Sequence, residues 1–181
     1  MRFAKDHRRK RLQADPGMQL FRLIVLLCAT LALASCGDSK FRRYNGPEVT
    51  SIQVHKGERK MYLLHNDKVL KQFDVALGFA PVGHKQFEGD GKTPEGTYTI
   101  SHRNPDSNYH LSLRINYPND RDRTYASSMG KPPGGDIFIH GGPNNKIYQR
   151  DWTAGCIAVT DRQIEVIYSM VKPGTPIHIL P

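Results

Sequence analysis

From Thr50 to Leu180 the apolar residues fall in short, often alternating runs fenced by Gly, Pro, Asn and Asp, and that punctuation limits the chain to a mainly β fold. Thr50 to Val54 is the first run. Lys60 to Leu64 and Val69 to Leu77 flank a turn-rich connector, His65 to Lys68, and predict a hairpin. Thr97 to His102 and His110 to Tyr117 alternate as half-buried strands do. Ile137 to His140, Cys156 to Val159 and Pro176 to Leu180 are three further short strands. Asn119 to Met129 reads as a short polar helix that stops at Gly130 and Pro132. Thr160 to Gln163 (TDRQ) is a capping-box pattern opening a helix over Asp161–Val171, with Ile164, Ile167, Tyr168 and Val171 on one face. Between the strands, Gly78 to Pro94 is a Gly/Pro/charged loop of a length that usually accompanies function.

The N-terminal end has a different character. Leu20 to Ser35 is an apolar run behind Arg8, Arg9, Lys10 and Arg11, too short to span a bilayer comfortably, which is the pattern of a secretory signal peptide. Its end, Leu33 to Cys36 (LASC), resembles the bacterial lipobox, where the cysteine is lipid-modified and becomes the new N-terminus. A plain signal peptide cleaved near Ala34 and an uncleaved anchor are the alternatives, and Met18 is an alternative start. The expected organisation is a lipoprotein signal peptide over 1–35, a tether over 36–48 containing Gly46 and Pro47, and a domain over 49–181. Such a protein is exported and held by lipid at the periplasmic face of a membrane. Gly37 after the cysteine leans toward the outer membrane.

Charge narrows the partners. The net charge is +9, but residues 1–35 hold seven Lys+Arg against two Asp+Glu, so the leader accounts for +5 of that net charge. The remaining charges alternate in sign without a basic run, which argues against nucleic acid as a partner.

The chain has three cysteines, Cys28, Cys36 and Cys156. With Cys28 discarded and Cys36 blocked by lipid, Cys156 is the sole free thiol and no intramolecular disulfide can form. A lone strand cysteine is most often a small buried hydrophobe. Here its surroundings favour chemistry. Asp136 to Gly141 (DIFIHG) and Trp152 to Val159 (WTAGCIAV) supply His140 and Cys156, each at the edge of a short apolar run. A thiol needs a base to become a nucleophile at neutral pH, and imidazole has the suitable pKa. Gly155 removes a side chain where a substrate carbonyl would approach.

Gly89 to Tyr98 (GDGKTPEGTY), His110 to Arg114 (HLSLR) and the His140 and Cys156 segments together resemble the L,D-transpeptidase catalytic domain of the YkuD type, from about Val49 to Pro181. The resemblance implies a β-sandwich-like domain with short helices, no metal and no cofactor, acting on peptidoglycan stem peptides. It implies Cys156 as nucleophile and His140 as proton acceptor and donor. The carbonyl of Gly141 would orient the imidazole, and N–H groups around Gly155 and Cys156 would stabilise the oxyanion.

The usual family motif has Ser or Thr, then His, Gly, Cys, Ile and Arg, whereas this chain has Ala154 and Ala158 in place of the second histidine and the arginine. A hydrolase on the same scaffold, an L,D-carboxypeptidase or an amidase releasing a wall-attached protein, is therefore kept open. So is an inactive wall-binding lipoprotein. Arg114, Tyr117, Trp152 and Thr153 are candidate substrate-binding residues, although strand alternation or core packing would account for several of them. His84 reads as a loop histidine, and no histidine has the spacing of a metallopeptidase. The GDGK stretch lacks the spacing of a phosphate-binding loop.

Overall fold

The computed structural model describes residues 17, 18, 20–25, 39–142 and 150–181, so Cys28, Cys36 and the lipobox lie outside the described residues. Residues 17, 18 and 20–25 are helical and exposed, and among the described residues no helix is long and apolar enough to cross a membrane.

Eight strands follow: β1 Ser51–His55, β2 Lys60–His65, β3 Lys68–Asp74, β4 Gly96–Asn104, β5 Ser112–Ile115, β6 Phe138–His140, β7 Ile157–Ala158 and β8 Pro176–Leu180. Helix α1 spans Asp120–Ser128 and α2 spans Asp161–Met170. The strands form one sheet in the order β3-β2-β1-β8-β4-β5-β6-β7. Strand β4 is the corner. Gly96 to Thr99 pair with β8, and beyond an irregularity between Ile100 and His102 the strand pairs with β5. A bulge of this kind bends a strand and lets one sheet become two facing halves. After β3 the chain crosses to the far edge, where Ala76 exchanges both backbone hydrogen bonds with Ala158, at 2.9 and 2.8 Å, and Gly78 bridges Thr153. The fold class expected from the sequence, mainly β and sandwich-like with short helices, is the one found.

Alternation explains the interior. Ile52 and Val54, Met61 and Leu63, Tyr98 and Ile100, Leu113 and Ile115, Ile177 and Ile179 all point into one buried cluster. Helix α2 adds Ile164, Ile167 and Tyr168, and Val171 at its C-cap completes the face read from the periodicity. Its capping box is formed as the sequence predicts. The Gln163 N–H donates to Thr160 Oγ1 at 3.2 Å, and the Thr160 N–H donates to Gln163 Oε1 at 2.9 Å.

Two differences from the sequence reading matter for the site. The strand expected from His110 begins only at Ser112, because His110 adopts φ 71° and breaks the extended run. The stretch read as a tether lies, from Lys40 onward, within the compact unit that runs to Pro181. Lys40 Nζ donates to the carbonyls of Pro105 and His110, and Arg42 pairs with Glu165 at 2.7 Å.

Candidate active site

Register builds the site. Ser112 on β5 pairs with His140 on β6, and His140 pairs with Ala158 on β7. Paired residues share a face of the sheet, as do residues two apart, so Ser112, His140, Ala158 and Cys156 lie on one side. Their neighbours Leu113, Ile139 and Ile157 take the other side and enter the core. His140 and Cys156 line one cavity of about 260 Å³, together with Ser112, Asp136, Phe138 and the Asn104–Tyr109 segment.

The imidazole is fixed by the backbone. His140 Nδ1 lies 2.7 Å from the Gly141 carbonyl oxygen, which can only accept, so Nδ1 carries the proton and Nε2 keeps the lone pair. The Tyr109 ring lies against the imidazole at 4.4 Å between centroids, and the Trp152 indole meets it edge-on at 5.8 Å. His140 is 3% exposed, and burial pushes its pKa below the ordinary 6.5 against the opposing pull of the Gly141 carbonyl. Gly141 sits in a close approach, since a Cβ there would meet Asp161 Oδ1 at 2.6 Å. That carboxylate accepts the Gly142 N–H at 2.7 Å, so the first turn of α2 holds the loop behind the histidine.

Burial likewise pushes the Cys156 thiol above 9.0, with the nearby Asp136 carboxylate adding to the rise and the Phe138 backbone and the Lys85 charge opposing it. The S–H donates to the Asp136 carbonyl at 3.5 Å. Both partners of the pair are therefore neutral at rest.

The segment before the cysteine is held from three directions. Asp151 accepts from Arg59, at 2.6 Å to Nη2, and from the Leu77 N–H at 3.1 Å. Thr153 Oγ1 donates to the Cys156 carbonyl at 2.7 Å and accepts the Gly155 N–H at 3.2 Å. Gly155 has φ 138°, and a Cβ there would lie 2.7 Å from the Lys92 carbonyl oxygen. The glycine is needed for this contact with the Gly78–Pro94 loop. Gly155→Ala is expected to cost roughly 1–3 kcal/mol in stability and to displace the thiol, read as a lower melting temperature together with a changed rate of Cys156 alkylation.

The long loop owes its shape to buried charges. Asp90 accepts from Lys85 Nζ and from the N–H groups of Gln86, Phe87 and Lys92. Lys56, 2% exposed, donates to Gly83 O, Thr93 O and Glu95 Oε1. The GDGKTPEG block thus serves as the floor beneath the cysteine. His84 accepts the Glu95 N–H on Nδ1 at 2.9 Å and directs Nε2 to Asp122 at 3.2 Å. It lines a separate cavity of about 810 Å³ between this loop, α1 and β8, which includes neither His140 nor Cys156.

Of the residues singled out from sequence, Cys156, His140, Gly141, Gly155, Thr153 and Trp152 are brought together. Thr153 is buried and holds the cysteine loop instead of facing the cavity. Arg114 is at the mouth, 3.2 Å from Asp136. Tyr117 is a correction: it is 2% exposed, packed edge-on to Tyr98, with its hydroxyl donating to the Pro133 carbonyl. It shares strand parity with Leu113 and Ile115, and that parity was the signal that it points inward. Tyr109, Ser112 and Asp136 were missed. Ser112 could have been found by pairing β5 with β6, but Tyr109 lies in an irregular loop that has no period to read.

Residues 50–179 match the model of the YkuD family, the L,D-transpeptidase catalytic domain. YafK of Escherichia coli K12 is 28% identical over 144 residues, covering 72% of this chain and 53% of YafK. Among solved structures, the helical cell shape determining protein Pgp2 of Campylobacter jejuni superposes with a TM-score of 0.57 at 25% identity, covering 81% of this chain and 53% of Pgp2. Bd1075 of Bdellovibrio bacteriovorus gives 0.52 at 25% identity, covering 77% and 50%. The chain spans about half the length of each of these relatives.

Proposed function

Because the chain belongs to the YkuD family of L,D-transpeptidase catalytic domains, we propose that it is a peptidoglycan-modifying cysteine acyltransferase working through a thioester on Cys156. The observation that supports this most is the strand register, which sets Cys156 and His140 on one face of neighbouring strands around one cavity. In the first half-reaction His140 Nε2 takes the thiol proton while Sγ attacks the carbonyl of the amide between an L-centre and a D-residue of a stem peptide. The C–S bond forms and the carbonyl π pair moves to oxygen. The Cys156 N–H stabilises that oxyanion, since the Gly155 amide is engaged by Thr153 Oγ1. Collapse breaks the C–N bond, and the D-residue's amine leaves with the proton held by His140. In the second half-reaction an amine of a neighbouring stem or an attached protein gives a proton to His140, attacks the thioester and frees the thiol.

Water can take the amine's place. Ala158 favours this second reading, an L,D-carboxypeptidase or an amidase freeing a wall-attached protein. It pairs with His140 where the family usually has a guanidinium able to hold an acceptor carboxylate. The leader sequence supports export and lipid attachment at Cys36 on the periplasmic face. Pgp2 is named as a cell-shape determinant, and a role in wall shape is proposed here on that likeness.

The test incubates the purified protein with tetrapeptide muropeptides and with protein-linked sacculi, and reads products by mass spectrometry. Cross-linked dimers or D-amino-acid exchange establish a transpeptidase, whereas shortened stems or released protein establish a hydrolase. Unchanged substrates with retained binding to sacculi leave a wall-binding lipoprotein and refute the enzyme.

A further inference from the structure

One wall of the Cys156/His140 cavity is the irregular Asn104–His110 loop, which supplies Ser107, Asn108 and Tyr109. Tyr109 shields the imidazole with its ring and ties itself to the histidine's neighbour by backbone, its carbonyl accepting the Gly141 N–H at 3.2 Å. Such a loop has little regular structure of its own to fix it. Asn104 accepts the Asp106 N–H and Ser107 accepts the Tyr109 N–H, both contacts within the loop.

The β4–β5 ladder, in which Asn104 pairs with Ser112, closes the loop at its base, and a further hold on its ends comes from outside the matched residues 50–179. The Lys40 ammonium donates to the carbonyl of Pro105 at 2.6 Å and to that of His110 at 3.3 Å, so one side chain spans the two ends of the loop. Arg42 donates through Nε and Nη2 to Glu165 Oε2, at 2.9 and 2.7 Å. The other oxygen of the same carboxylate lies 2.9 Å from His110 Nε2. Glu165 stands on α2 one turn after Asp161, the residue that holds Gly142. A single helix face thus grips both loops flanking His140, and the upstream segment locks that grip on one side. Phe41 packs near Tyr168, 6.3 Å between centroids, and keeps the segment on the helix.

We infer that Lys40 and Arg42 are positioning residues for the active site, the segment they stand on acting as a strap that holds Tyr109 over His140. The inference rests on the Cys156/His140 reading, and its decisive measurement needs no substrate. Lys40 and Arg42 are changed together to alanine in the full chain, with Arg42→Lys as the conservative variant. The readouts are the NMR titration midpoint of His140, amide hydrogen exchange over residues 104–111, and the melting temperature.

With the strap gone, water reaches the ring, and the midpoint rises toward 6.5. Exchange over the loop quickens by about tenfold. Where turnover has been established with wild-type protein, kcat/KM falls by about tenfold as the near-attack geometry loosens. Arg42→Lys keeps the ion pair and restores most of each effect. A wild-type midpoint in the double variant overturns the inference, whether or not the melting temperature drops, because a segment that serves only stability has no reason to alter the imidazole. Failure of the product assays with a shifted midpoint refutes the chemistry and leaves the strap standing.

Discussion

Replacing Cys156 by alanine is expected to remove acyl-enzyme formation altogether, with turnover falling on the order of 10³-fold or more, while the domain keeps its fold. The side chain is only half-buried, and its S–H makes the one weak contact of 3.5 Å to Asp136. Removing Sγ leaves Thr153, Asp151 and Gly155 to hold the loop as before, because their bonds run through backbone and neighbouring side chains. The loss of stability is under about 1 kcal/mol, below the range of true core truncations. Intact-mass analysis after exposure to a stem peptide, beside a thermal melt, checks both halves. A covalent adduct that persists in the variant would show that another group is the nucleophile.

His140→Gln ranks second, with a loss of roughly 10²- to 10⁴-fold. A glutamine amide can still donate to the Gly141 carbonyl, so the local backbone has its partner, but it cannot take the thiol proton. The variant also carries a pH signature. In the wild type burial holds the imidazole below 6.5 and the thiol above 9.0, so the pair stays neutral through that range. Turnover should be flat there and decline only below pH 6.5, as His140 protonates; the glutamine variant should show no such decline. Stability follows the same group. The folded pKa is lower than the unfolded one, so the unfolded chain binds more protons just below 6.5 and stability falls as pH drops through that window. A wild-type rate that falls as pH rises above 6.5 would instead indicate a charged thiolate–imidazolium pair.

Nearly every element, including the strands that carry His140 and Cys156, could be read from the sequence because each rests on local signals. Turn residues fence the strands, capping side chains open α2, and a glycine precedes the cysteine. What could not be read depends on neighbours distant in sequence. The placement of β8 between β1 and β4, and the bridge from Ala76 to Ala158, have no local trace. Tyr117 was misjudged for want of parity counting, an error the sequence alone could have corrected. The partners of Lys40 and Arg42 had no local trace either, since the carbonyls and carboxylate that they meet lie 65 to 123 positions away.

Strand β8 enters the sheet last, yet it supplies the ladder between β1 and β4. Before Pro176–Leu180 are in place, β1 to β3 form one ribbon and β4 to β7 another, with no strand in common. Pairings between distant segments form slowly, and here Pro176–Leu180 join the two ribbons together with the isolated bridges Ala76–Ala158 and Gly78–Thr153. His140 and Cys156 belong to the β4–β7 ribbon, so β8 fastens to the other ribbon a pair of strands whose own register does not depend on it.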